Sequence, residues 1–202
     1  MSDTLKTKCA LADALIKLCQ TKSFNKISIT DITHEVGIKR QTFYYHFEDK
    51  YMLLAYVYHQ TALYYLDDNN ISLDNWESQA YNMLKAIKHY AKFYHNTVNA
   101  NQSILMNEFL LIIEHRFKHL FNLFDKQQRI SKQNKTFYAK FFGYGCSGLL
   151  LDWIINDYPQ KPATLAHQIA QLAKDTELFS IQLVYRGSQE EIKTTFQKRG
   201  FL

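Results

Sequence analysis

The 202-residue sequence predicts an all-α protein, and three observations carry that expectation. Glycine and proline number only six and two, too few for the turns of an all-β fold. Hydrophobic residues make up 47% of the chain, enough to bury a core in one large domain or two small ones. Apolar residues recur three and four positions apart in successive stretches, the period of a helix with one buried face. The net charge of +5 and pI near 8.9 permit a polyanionic partner without requiring one. Cys9, Cys19 and Cys146 are odd in number, far apart and free of any C-x-x-C pair, so neither a disulfide framework nor a zinc site is expected. A reducing cytoplasm fits this cysteine usage best. Met-Ser-Asp-Thr opens the chain without a basic stretch followed by an apolar one, so no secretory signal is expected. The apolar runs Ile104 to Ile113 and Gly148 to Ile155 are too short to span a membrane and contain Asn107, Glu108 or Asp152.

The first helix is expected from Thr4 to about Thr21, with Leu5, Cys9, Leu11, Ala12, Leu15, Ile16 and Cys19 on its apolar stripe. Phe24 and Ile27 follow as core plugs. Ser28, with Asp31 three residues on, has the form of a capping box opening a second helix that buries Ile29, Ile32 and Val36. Gly37 can take a left-handed conformation and end that helix, with Ile38 packed beneath the turn. A third helix is expected from Lys39 or Arg40 to His46, held by Phe43 and Phe47 four residues apart. At about 100° per residue, Gln41 and Tyr45 point away from those rings, flanked by Thr42, Tyr44 and His46. That face carries polar and aromatic groups where a solvated helix more often carries Lys and Glu, which favours contact with a partner.

The pattern F24-x-x-I27-S-I-x-D31-I32, then V36-G37-I38, then T42-F43-Y44-Y45-H46-F47 and K50, resembles the DNA-binding domain of the TetR family of bacterial transcriptional regulators. The resemblance covers roughly Cys9 to Leu54; Lys39 departs from the family's usual capping residue and adds a positive charge. It implies an N-terminal helix-turn-helix domain over residues 1–50 and a helical regulatory and dimerisation domain over 51–202. By this resemblance Thr42, Tyr44, His46 and Lys50 are assigned to phosphates of double-stranded operator DNA. Arg40, Gln41 and Tyr45 are assigned to base edges, and Ser28 or Thr30 to the backbone or a neighbouring base.

Asp49 should cap a fourth helix running to about Tyr65, the lever between the two domains, before the polar break Asp67 to Asn70. Asp74, backed by Glu77, should cap a helix through Trp76, Met83, Ile87 and Tyr94, and after a break around Asn96 to Asn101 another runs from Ile104 to Phe124. The aromatic content of 15% serves a core first, yet the resemblance also implies a small-molecule effector pocket in this half. Its candidate lining is His89, Tyr90, Phe93, Glu108, Phe109, Ile112, His115 and Phe141.

Ser131 should cap a long helix in which Gly143, Gly145, Ser147 and Gly148 form a band of small residues. Each glycine costs about 1 kcal/mol relative to alanine, so close approach of another helix should compensate. The next helix is expected from Ala163 to about Lys174. Family members dimerise through their last two helices, which makes Gly143, Cys146, Leu150, Trp153, Ala166, Ile169, Ala170 and Ala173 candidates for a homodimer interface. From Leu178 the chain lies outside the resemblance; Phe179 to Tyr185 alternates like a strand, and Ser188 with Glu191 could cap one more helix.

No phosphate-cradling glycine loop, H-E-x-x-H run or nucleophile elbow is present, so neither an enzyme, a cofactor nor a metal is expected. The leading expectation is a homodimeric repressor released from DNA by a small molecule. The alternative is an activator whose C-terminal domain docks a protein co-regulator. Gln41 to Tyr51 and the run LLLDW at Leu149 to Trp153 resemble the branch of the family that includes activators of dihydroxyacetone kinase operons.

Overall fold

A computed structural model describes residues 3–67, 74–126, 128–172, 174, 175, 182 and 185, and every regular element among them is helical. The strand-like alternation at Phe179 and the cap at Ser188 fall outside these residues, as does Ala173. Helix α1 (Asp3–Leu18) buries Leu11, Ala12, Ala14 and Leu15. A 3-10 turn (Phe24–Lys26), α2 (Ile29–Val36) and α3 (Arg40–His46) pack against it around Phe24, Ile27, Ile32, Phe43 and Phe47. Lys17 pairs with Glu35 across the outside of α1 and α2.

Helix α4 (Lys50–Tyr58) runs straight on through a π turn (His59–Leu63) into α5 (Tyr64–Asp67). Asp49 accepts from the Tyr51 and Met52 amides at 2.8 Å and caps the rod as the sequence predicts. Inside the widened π stretch the Thr61 hydroxyl donates to the Val57 carbonyl at 2.7 Å.

The helix predicted from Asp74 to Tyr94 is two helices. Helix α6 (Trp76–His89) starts after Asn75, and Asn75 takes the cap position that the sequence suggested for Asp74. The break comes at Tyr90 (φ −96°, ψ 32°), after which α7 (Ala91–Ala100) begins. A distant residue contacts both sides of it: the Tyr158 hydroxyl donates to the Ala91 carbonyl at 2.8 Å, and Lys88 lies 4.1 Å over the Tyr158 ring. Local periodicity carries no sign of such a contact.

Helices α8 (Gln102–Phe124) and α9 (Lys132–Ile155) form an antiparallel hairpin, followed by α10 (162–172). Asp125 shapes the hairpin's turn, accepting from the Arg129 and Ile130 amides at 2.8 and 2.9 Å and from Lys135 at 2.9 Å. Phe117 stacks on Phe142 with centroids 4.7 Å apart, and Phe121 meets Tyr138 at 5.7 Å. At Gly143 a Cβ would lie 2.7 Å from Leu110 Cδ1, so this glycine serves close approach inside one chain. Gly143 was expected at a dimer interface; so were Cys146, Leu150 and Trp153, and all are buried in the protomer's own core. Ala166, Ile169 and Ala170 on α10 are buried there too. The physical reason is one of phase: these residues share the α9 and α10 faces that the chain's own aromatic core covers.

Between the hairpin and the α4 rod lie Tyr58, Phe93, Tyr94 and Phe109, all fully buried. Tyr58 stacks on Tyr94 at 5.2 Å and donates to Thr97 at 2.8 Å, and the Tyr94 hydroxyl pairs with Thr61 at 2.7 Å. Burial pushes both phenols well above their ordinary range, so they stay neutral donors. The Cys19 and Cys146 thiols are buried and pushed up to about 12, in keeping with packing rather than redox roles. Among the described residues no helix is long and apolar enough to cross a membrane.

Phe117→Ala should cost about 3–5 kcal/mol, because it leaves a void beneath Phe142 in the hairpin. Urea unfolding followed by circular dichroism measures this, and a loss under about 1 kcal/mol would contradict the packing described.

Candidate nucleic-acid interface

The α2–turn–α3 unit is built from local chemistry. Ser28 Oγ accepts from the Asp31 amide at 3.1 Å, while Asp31 Oδ2 accepts from the Ser28 amide and hydroxyl, both at 2.7 Å. This is the capping box the sequence predicts, and Lys22 adds a third bond to the same carboxylate at 2.8 Å. The Lys22 ammonium first, then the Ser28 donors, hold the Asp31 carboxyl well below the usual carboxylate range. Gly37 takes φ +76°, its amide donating to His34 and the Ile38 amide to Thr33. Lys39 occupies the cap of α3 in an extended conformation without a side-chain cap bond.

Helix α3 is anchored by Phe43, fully buried, and by Phe47 just beyond its end, their rings 5.9 Å apart. Arg40, Gln41, Tyr44 and Tyr45 are exposed, Tyr45 to 81%. Thr42 and His46 are half-buried beside them, with the His46 ring 5.1 Å from that of Tyr45. Arg40 donates to the Tyr44 hydroxyl at 2.9 Å, a bond that uses one of five guanidinium N–H groups. Tyr44 rests edge-on against Phe43 at 5.7 Å, which holds its ring in place. Ser28 and Thr30 are exposed at the start of α2. The surface thus offers hydroxyls, a guanidinium, an imidazole and an amide from one helix face and the adjoining helix start.

Lys50 is the exception among the predicted contacts. Its ammonium donates to the carbonyls of Phe24, Ile27 and Asn25 at 3.0, 2.9 and 3.3 Å, and sits 4.7 Å over the Phe24 ring. All three N–H groups are therefore taken by the 3-10 turn, and none is left for a phosphate in this conformation. Burial draws the Lys50 pKa downward. The position was legible in the motif, but the direction of the side chain was not.

The effector-pocket candidates do not converge. His89 and Tyr90 line a common recess, an open groove of about 420 Å³ beside the π turn, which also meets Gln60, Thr61, Tyr64 and Lys85. Phe93, Phe109 and Ile112 are core, and Glu108 pairs with His59 Nε2 at 2.9 Å. His115 and Phe141 face outward, Phe141 with 67% of its surface exposed. The seven-residue recurrence from Phe137 to Tyr144 was the available signal that α9 has a second, outer apolar face. Among the described residues no group of three or more His, Cys, Asp or Glu could hold a metal ion.

Lys50→Met should destabilise the fold by about 1.5–3 kcal/mol, since three carbonyls lose a charged donor. Thermal unfolding checks this; an unchanged midpoint would contradict the bonding described. Asp31 gives a pH prediction. Its folded-state pKa is depressed, so its contribution is complete above the unfolded value near 4 and is lost as pH falls through the lower folded value. Asp31→Asn should flatten the decline in melting temperature below about pH 4, and an unaltered decline would count against it.

Two family models match. Residues 74–175 match a transcriptional regulator C-terminal region of the TetR type, and residues 11–57 match the bacterial regulatory proteins of the tetR family. The HTH-type dhaKLM operon transcriptional activator DhaS of Lactococcus lactis subsp. lactis is 25% identical over 131 residues, 62% of this chain and 63% of that protein. The match thus spans less than two thirds of the relative's length. In structure, the dihydroxyacetone kinase operon activator DhaS superposes with a TM-score of 0.60 at 21% identity, covering 86% of this chain and 97% of that one. A TetR-family transcriptional regulator from Mesorhizobium loti superposes at 0.53 with 13% identity, covering 87% and 96%. Both share the fold. With one family model spanning half the chain and another covering its helix-turn-helix, this protein belongs to the TetR family of bacterial transcriptional regulators.

Proposed function

We propose that this regulator acts by binding alone, without catalysis, as a cytoplasmic homodimer that reads a two-part operator with its paired α3 helices. The observation that carries the reading is the rigidly anchored, exposed face of α3. Gln41 and Tyr45 reach base edges with Arg40, while Thr42, Tyr44 and His46 seat the helix on phosphates and Ser28 or Thr30 meets the adjacent backbone or a base. Lys50 has a different part, bracing the turn behind α2. The net charge of +5 favours the encounter with DNA. The domain division lies near residue 50, within the start of the α4 rod, so the reading unit is carried on a stiff lever.

For the dimer, the outer face of α9 replaces the residues first expected. Phe137, Phe141, Tyr144 and Leu149 are exposed there, and Leu111 and Leu123 are exposed on α8. Among the described residues, a Cβ on Gly145 or Gly148 would meet nothing within 4 Å. Nothing among the described residues offsets the helix cost of those two glycines, and a partner helix lying across them would.

The regulatory reading is a repressor released by a small molecule in the groove beside the π turn, where tyrosine hydroxyls, Gln60, Lys85 and His89 offer polar handles. One observation favours a second reading: the relative DhaS is an operon activator by name. On that reading the C-terminal half docks a protein co-regulator.

Fragments selected from the source genome should bind with steep salt dependence, because most proposed contacts are to phosphates. Tyr45→Ala and Arg40→Ala should each weaken specific binding by about 1–3 kcal/mol while leaving the melting temperature near that of the parent. Binding that is undetectable at low salt, or indifferent to both substitutions, would refute the assignment. Phe141→Glu should halve the mass in solution at micromolar concentration and weaken operator binding by at least about tenfold; a dimer that persists would exclude the α9 face.

A further inference from the structure

Asn96 on α7 spans two parts of the molecule. Its side-chain amide donates to the carbonyls of Cys19 and Lys22 at 2.8 and 2.9 Å, and its oxygen accepts from the Phe24 amide at 3.0 Å. The amide's orientation follows from this network, since the flipped form would set its oxygen against two carbonyl oxygens. These three groups belong to the connection between α1 and α2, in which Lys50 holds the carbonyls of Phe24, Asn25 and Ile27.

Among the described residues, hydrogen bonds and chain continuity thus attach the reading unit to the regulatory core at two places. One is the continuous α4 rod, and the other is this clamp to α7. A rod alone permits bending and rotation about its axis, especially with a π turn in it, whereas a second attachment to one side removes those freedoms. Helix α7 is keyed to the rod as well, through Tyr58 with Thr97 and Thr61 with Tyr94, one residue after and two residues before Asn96. Any shift of α7 along α4 must reach Cys19, Lys22 and Phe24. Asn96 is half-buried and borders a recess of about 540 Å³ that Thr21, Lys92 and His95 also line, so water can replace its bonds if the clamp opens.

We propose that Asn96 is a positioning residue: it fixes the pose of the DNA-reading unit on the regulatory core, and with it the separation of the two α3 helices in the dimer. The proposal rests on the DNA-reading assignment above. It predicts a change in operator spacing selectivity, which a merely stabilising residue would not alter.

The test uses the full chain and a two-part DNA site selected by the parent protein, with a second duplex whose half-sites lie two base pairs further apart. Affinities for both are measured for the parent, Asn96→Ala and Asn96→Asp. The aspartate keeps an acceptor for the Phe24 amide but replaces the donating NH2 with a second acceptor oxygen, so it breaks the carbonyl bonds. Both variants should remain dimeric and folded at the assay temperature with a modestly lowered melting temperature, while the ratio of the two affinities falls by at least about fivefold. A ratio within twofold of the parent in both variants overturns the proposal. Equal weakening on both duplexes together with a collapse in melting temperature also overturns it, by making Asn96 structural only. A parent protein that binds no selected DNA refutes the DNA-reading assignment itself, an outcome distinct from a parent that binds while its variants keep their selectivity.

Discussion

The connection from Cys19 to Ile27 must satisfy its backbone polar groups without a helix ladder, and much of the molecule is arranged around that requirement. Leaving such groups unpaired beside a core costs as much as lost hydrogen bonds. The three small helices at the N-terminus do not supply all the partners. Lys50 reaches back from the lever and Asn96 reaches across from α7, so two elements outside the helix-turn-helix complete it. Phe24, fully buried beneath the same connection, is held between a cation from one side and an amide from the other. The reading unit and the regulatory core thus share a boundary made of bonded groups.

Behind that boundary the regulatory half solves a second problem of the same kind. Its core is built largely from aromatic rings, and the tyrosines among them carry hydroxyls into places without water. Thr97 and Thr61 receive those hydroxyls, so the packing of α4 on α7 is specified by polar bonds as well as by shape. A bonded aromatic interface of this type resists gradual deformation and favours discrete arrangements. The π turn interrupts the rod just where Thr61 engages Tyr94, and the open groove lies alongside it. The open groove, the aromatic core packing and the rod that carries the helix-turn-helix consequently meet on a short stretch of α4 and α5.

The helix-turn-helix was legible almost residue by residue. Its determinants are short in range: the Ser28 and Asp31 pair, the left-handed Gly37, and Phe43 with Phe47 one helical turn apart. The faces of the later helices were less legible. Gly143 and Gly145 both stand in the same small-residue band, yet one sits against Leu110 and the other in open space. Phe141 and Phe142 are neighbours with opposite fates, one turned outward and the other stacked on Phe117. A helix with apolar residues on two faces does not declare which face its own chain will cover.

By itself the sequence determined the helical class, the order of the helices and the chemistry presented by α3, because periodicity, caps and glycine turns act over a few residues. Only the tertiary structure decided which side of α9 is core, where the helix after Asp74 breaks, and that Lys50 turns inward to join Asn96. Those outcomes depend on partners such as Tyr158, Leu110 and Phe24, which lie between about twenty and seventy residues away, a separation at which pattern within one helix holds no information.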